Sequence, residues 1–159
     1  MERRRLGGTA VEVSRIILGC GNFGGIGSAP EFFGQGESEE EAFRIMDAGW
    51  SLGITAFDTA DAYGGGRSET MVGNWMSSRG HRPQLTTKTF NPMDRGKDHG
   101  LSRARMTRQI ESSLDRLGVE QVAGVERFAE LALVDARRHQ DHVDRPVAAR
   151  EHARFPAQL

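Results

Sequence analysis

Between residues 16 and 122 short apolar runs alternate with amphipathic stretches, and this order constrains the fold more than any other feature. Ile16-Ile17-Leu18 is a continuous apolar run, as expected of a strand buried on both faces. It opens into the glycine-rich loop Gly19-Cys20-Gly21-Asn22-Phe23-Gly24-Gly25. Ser38-Glu39-Glu40-Glu41 has the spacing of a capping box, and Ala42, Ile45, Met46 and Gly49 then share one helical face. Ile54 to Phe57 is a short strand. Ser68 and Glu69 open a second helix carrying Met71, Val72, Trp75 and Met76, and Leu85 to Thr89 is the next strand. Ser102 caps a third helix with the stripe Met106, Ile110, Leu114 and Leu117, and Gly118 stands at its end. Val119 to Val122 begins a fourth strand.

Ahead of these units, Arg4-Arg5-Leu6, the turn Gly7-Gly8-Thr9 and the alternating Val11-Glu12-Val13-Ser14 predict a hairpin. The order is thus a hairpin followed by about three and a half βα units. Strands that alternate with helices form parallel sheets, so the fold class is α/β. The chain's 159 residues fall well short of the roughly 250 of a complete (β/α)₈ barrel.

The text changes near residue 124. All 20 glycines lie between Gly7 and Gly124, and the segment from Val125 to Leu159 has none. Residues 1–122 therefore form one unit, and 123–159 read as a helical or unfolded tail.

Charge and cysteine content exclude several functions. A formal net charge of −1 leaves no basic excess for nucleic acid or an anionic membrane. The tail arginines Arg137, Arg138, Arg145, Arg150 and Arg154 are balanced by nearby acids. No apolar run reaches the length of a membrane span, and the arginine-rich N-terminus lacks the apolar stretch of a signal peptide. One cysteine, Cys20, makes neither an internal disulfide nor a cysteine-based zinc site, so a cytoplasmic setting is expected. His139, His142 and His152 lack a convincing third ligand, and no metal is expected.

In parallel α/β folds, reactive side chains gather at the carboxyl ends of the strands. Asp58 ends the second strand, Tyr63 lies in the loop beyond it, and Lys88 ends the third. An acid, a phenol and an amine on one rim form a proton-transfer set, because an ammonium favours the phenolate and a carboxylate holds the ammonium charged. The same three residues also admit a plain reading as loop cap, surface aromatic and solvated cation. Trp50 and Trp75 read as core or helix-packing residues.

The text around these residues resembles the aldo-keto reductase family. The matching segments are Phe57-Asp58-Thr59-Ala60-Asp61-Ala62-Tyr63-Gly64 with Ser68-Glu69, the start Leu6-Gly7-Gly8-Thr9 with Val13-Ser14-Arg15, Leu18-Gly19-Cys20-Gly21-Asn22-Phe23-Gly24, the Thr87-Lys88 pair, and Ser112-Ser113-Leu114-Asp115-Arg116-Leu117-Gly118. The resemblance runs from residue 3 to about 122. It implies a (β/α)₈ TIM-type barrel closed below by the hairpin, and hydride transfer from NADPH, or less often NADH, to a small-molecule aldehyde or ketone. It implies that Tyr63 is the general acid, Lys88 the cation that eases loss of its proton, and Asp58 the partner of Lys88. Gly21 and Asn22, with Asp58 beside them, fall where the family approaches the nicotinamide. Residues 26–37 match either a substrate-rim insertion of the family or a solvated loop.

The likeness stops after Val119. The family continues with Asp-Leu-Tyr and a catalytic histidine, where this chain has Glu120-Gln121-Val122-Ala123-Gly124-Val125-Glu126-Arg127-Phe128. A shift of reading frame near codon 122, an internal deletion or a naturally short protein would each give such text. Two functions are therefore expected: an NADPH-dependent carbonyl reductase impaired by truncation, or a non-catalytic fragment of one. A sheet of three and a half units leaves open edges, which predicts self-association or marginal stability.

Overall fold

The computed structural model describes residues 1–93, 99–127 and 130–134, the stretch from 124 onward by its backbone alone. Up to the start of the fourth parallel strand the element order follows the sequence expectation. Strands β1 (Arg3–Arg5) and β2 (Glu12–Ser14) pair antiparallel, with Arg3 opposite Ser14 and Arg5 opposite Glu12. Then follow β3 (Ile17–Gly19), α1 (Glu39–Ser51), β4 (Ala56–Asp58), α2 (Arg67–Arg79), β5 (Gln84–Lys88), α3 (Arg103–Leu117), β6 (Val122–Arg127) and β7 (Glu130–Val134). Strands β3, β4, β5 and β6 are parallel neighbours in that order, and β7 pairs antiparallel with β6.

Local chemistry sets the helix ends. Ser38 and Glu41 form the expected capping box on α1. Ser102 caps α3 by accepting from the Arg105 amide, and Gly118 closes it in the left-handed region at φ 65°. Ser14 joins the hairpin to the sheet. Its buried hydroxyl accepts from the amides of Thr55 and Ala56 at 3.0 and 3.2 Å and donates to the Ile16 carbonyl at 2.6 Å.

The core lies between the helices and the outer face of the sheet, around Met46, Phe57, Val72, Trp75, Leu85 and Leu117. Both tryptophans are packing residues. Trp75 is fully buried and donates to Asp47 at 2.8 Å, while Trp50 meets it edge-on and stacks on His81. Helices α2 and α3 approach so closely that a Cβ at Gly73 would collide with the Arg116 carbonyl.

Three expectations are corrected. The β3 run is not buried on both faces: Ile16 and Ile17 are 53% and 49% exposed. Among the described residues strand β3 pairs only with β4, and its inner side opens onto a cavity of about 350 Å³ lined in part by Leu6, Val13, Ile17, Ala56 and Phe57. The buried side of α3 is Arg105, Gln109, Ser113 and Leu117, while Met106, Ile110 and Leu114 are half-buried at its flank. Arg105 takes the inward face because neighbouring segments offer its guanidinium partners, described below. Finally, residues 122–127 and 130–134 form strands, where a helical or unfolded tail was expected from residue 123. Strand β6 completes the backbone ladder of β5, with Thr86 opposite Gly124 and Lys88 opposite Glu126. His139, His142, His152 and the tail arginines from Arg137 onward lie outside the described residues.

Candidate active site

Neighbouring parallel strands deliver Asp58 and Lys88 to one rim. Asp58 is in register with Thr86, two residues before Lys88. Lys88 Nζ donates to Asp58 Oδ2 at 2.6 Å and to the Thr59 carbonyl at 2.8 Å, and Thr86 Oγ1 donates to Asp58 Oδ1 at 2.6 Å. The carboxylate is thus bonded on both oxygens. Tyr63 begins a tight turn, Tyr63–Gly66, in which Gly64 and Gly65 have φ of 58° and 67°. Those angles favour glycine, and they swing the ring back over the rim. Lys88 Nζ stands 4.8 Å from the centroid of the Tyr63 ring.

The glycine loop after β3 completes this group. A Cβ on Gly21 would lie 3.7 Å from the Tyr63 ring, in ordinary van der Waals contact, so the loop backbone borders the phenol. Asn22 is exposed next to it. The Gly27 amide donates to the Gly21 carbonyl at 2.8 Å, and the Gly64 amide donates to the Gly27 carbonyl at 3.0 Å. Phe33 packs against Gly65. Residues 26–37 therefore rest on the turn that carries Tyr63, with Ile26 and Phe32 exposed at 47% and 44%. All five expected site residues, Asp58, Tyr63, Lys88, Gly21 and Asn22, fall on this rim.

The electrostatics favour a charged lysine. Burial opposes its charge, but the hydrogen bond and the charge of Asp58, with Tyr63 adding to them, hold the Lys88 pKa above its ordinary value. Cys20 behaves oppositely. Burial, reinforced by the charge of Asp58, pushes its thiol up to about 12, which removes it as a nucleophile. No group of three or more His, Cys, Asp or Glu among the described residues could hold a metal ion.

Two further carboxylates sit behind the rim in the same arrangement as Asp58. Thr89 Oγ1 donates to Asp61 Oδ2 at 2.6 Å, with Arg105 Nη2 3.8 Å from that oxygen. Thr87 Oγ1 donates to Glu69 Oε1 at 2.6 Å, and Arg116 Nε donates to Glu69 Oε2 at 2.7 Å. Each acid lies between a threonine of the β5 segment and a cation. The sequence reading named Asp58 and Lys88 but not these two sets. A signal was present: Thr86, Thr87 and Thr89 crowd one strand of a parallel sheet, and hydroxyls buried there require partners.

A profile described as the aldo/keto reductase family matches residues 15–125. The chain belongs to that family. The uncharacterized oxidoreductase YrpG of Bacillus subtilis (strain 168) is 36% identical over 134 residues, which cover 77% of this chain and 38% of the relative. Versiconal hemiacetal acetate reductase of Aspergillus parasiticus is 31% identical over 139 residues, covering 74% of this chain and 39% of the relative. Among solved structures, the holo form of aldo-keto reductase AKR11C1 from Bacillus halodurans superposes with a TM-score of 0.64 at 31% identity, over 79% of this chain and 39% of that one. A putative aldo-keto reductase from Pseudomonas aeruginosa gives 0.63 at 28% identity, over 77% and 44%. The chain thus spans about two fifths of the length of these aldo-keto reductases. These structures are (β/α)₈ barrels, and the parallel sheet with its outer helices is the corresponding part of that fold.

Proposed function

We propose that this chain carries the proton-transfer half of a carbonyl reductase active site that uses NADPH. The observation that supports the reading is the Lys88 ammonium, 2.6 Å from Asp58 and 4.8 Å from the centre of the Tyr63 ring. Reduction of an aldehyde or ketone adds hydride to the carbon and a proton to the oxygen. Tyr63 donates that proton from its hydroxyl as charge develops on the oxygen. Lys88 stabilises the phenolate left behind, and Asp58 holds Lys88 charged and oriented. Gly21 and Asn22 would hold the nicotinamide, which supplies the hydride when bound. Single-cysteine usage supports a cytoplasmic setting, and the near-neutral charge supports a small-molecule partner over nucleic acid. No described helix is long and apolar enough to cross a membrane.

The test is NADPH titration of the purified chain, followed by quenching of Trp50 and Trp75 fluorescence, with turnover of small aldehydes alongside. Saturable binding with turnover that falls about 10²- to 10⁴-fold in Tyr63→Phe supports the reading. Turnover unchanged in that variant removes Tyr63 as the acid.

A second reading has its own observation. Ile16 and Ile17, at the start of β3, are half exposed, the edge of β3 away from β4 is unpaired among the described residues, and the inner cavity is open. This favours a non-catalytic chain that self-associates through that edge. Sedimentation of the purified chain separates the two: stable oligomers without saturable NADPH binding support the second.

A further inference from the structure

Arg105 is the buried cation of α3 that lies nearest the rim, at 2% exposure. Its guanidinium bonds to groups on both sides of the proposed proton donor and its lysine. Nη1 donates to Thr89 Oγ1 at 2.7 Å, directly after Lys88 in the chain. Thr89 in turn donates to Asp61 at 2.6 Å, two residues before Tyr63, and Arg105 Nη2 is 3.8 Å from the same carboxylate. The Asp61 amide donates to the Lys88 carbonyl at 3.0 Å, so the Tyr63 and Lys88 segments are also tied through backbone. Arg105 also donates to the carbonyls of Asn91 at 2.7 Å and Gly100 at 3.1 Å, the two ends of the loop between β5 and α3.

Taking the function proposed above as its basis, we propose that Arg105 is a positioning residue for the Tyr63–Lys88 pair. It acts through Thr89 and Asp61 on the two backbone segments that carry them. A planar guanidinium suits this task because its donors are fixed in direction and it keeps its charge when buried. The geometry needs such a fixture. Tyr63 opens a turn rich in glycine, and a misplacement of about 1 Å at a reacting group costs on the order of 10²-fold in rate.

The alternative is that Arg105 merely anchors the loop between Asn91 and Gly100. Thr89→Val separates the two, because it removes the hydrogen-bonded route to Asp61 and leaves the bonds to Asn91 and Gly100 and the 3.8 Å ion pair in place. Tyr63 is the sole tyrosine, so its ring carbons give a single set of resonances in the 159-residue chain, readable with no cofactor and no turnover. The expected result is that Thr89→Val and Arg105→Met each move that resonance, that the double variant moves it no further than Arg105→Met alone, and that Arg105→Lys moves it less. Tryptophan fluorescence checks that each variant is folded. A Tyr63 resonance unmoved in a folded Thr89→Val chain overturns the proposal, and so do additive shifts in the double variant. Where the chain turns over, Thr89→Val lowers kcat about tenfold with KM little changed. Absence of turnover in every variant, with the resonance shifts as expected, would retire the function reading and keep the positioning role of Arg105.

Discussion

Glu69 in the first turn of α2 and Arg116 in the last turn of α3 form an ion pair at 2.7 Å, with the carboxylate wholly buried and the guanidinium 22% exposed. The pair links the two helices behind the rim, and Thr87 adds a hydrogen bond from β5. Removing one partner leaves a buried charge without compensation. Arg116→Met is therefore expected to cost about 3 kcal/mol in a urea unfolding experiment, toward the low end for buried pairs because Arg116 still touches solvent. A loss below about 1 kcal/mol would place the pair with ordinary surface ion pairs.

Asp58 supports the charge on Lys88 against burial. Asp58→Asn keeps the burial and removes the opposing charge, so the lysine pKa is expected to fall below its ordinary value. With Lys88 and Lys97 the only lysines in the sequence, the side-chain carbon resonances of labelled lysine follow this directly. A Lys88 titration unchanged in the variant would show that the Thr59 carbonyl and Tyr63 suffice.

Asp61 predicts a pH dependence of stability. Burial, helped by the negative charge of Glu69, raises its pKa from 3.8 to about 6, against the pull of Thr89 and Arg105. The folded pKa exceeds the unfolded one, so this group's contribution is full below about pH 4 and is lost as pH rises through about 6. A shift of that size is worth about 3 kcal/mol. Asp61→Asn still accepts from Thr89 but no longer titrates. Its unfolding free energy should lack this slope between pH 4 and 6, and an unchanged slope would assign it to another group.

Gly73 lies where α2 meets the carbonyl of Arg116. Alanine is the better helix former by about 1 kcal/mol, yet its methyl has no room there. Gly73→Ala is expected to destabilise the chain by about 1–3 kcal/mol, read as a lower urea midpoint. A higher midpoint would mean that the two helices part easily.

The elements legible in the sequence were those set by local signals. The capping box at Ser38, the Ser102 cap and Gly118 fixed α1 and α3 to within a residue or two. Asp58 and Lys88 were legible because strand ends in a parallel sheet meet at one rim. The exposure of Ile17 was not, since an apolar run reports what a side chain can bury and not whether a neighbour covers it. The inward side of α3 was misread for a related reason. Arg105 looks like a solvent residue until Asp61 and Thr89, from distant segments, supply partners. Strand β6 is held by backbone pairing with β5, and β7 by pairing with β6, which composition does not report.

Strand β7 reverses the direction of travel. Strands β3 to β6 carry the chain toward the end of the sheet that holds Asp58 and Lys88, with Glu126 beside Lys88. The return strand runs from Glu130 opposite Arg127 to Val134 opposite Val122. The polypeptide thus exits the described sheet at the end where the strands begin, a span of about four residues, or roughly 13 Å, from the level of Lys88. It also takes the place beside β6 where another parallel strand would dock. Any segment that added such a strand there would first have to displace β7, so the far side of β6 is a closed door and the β3 side an open one.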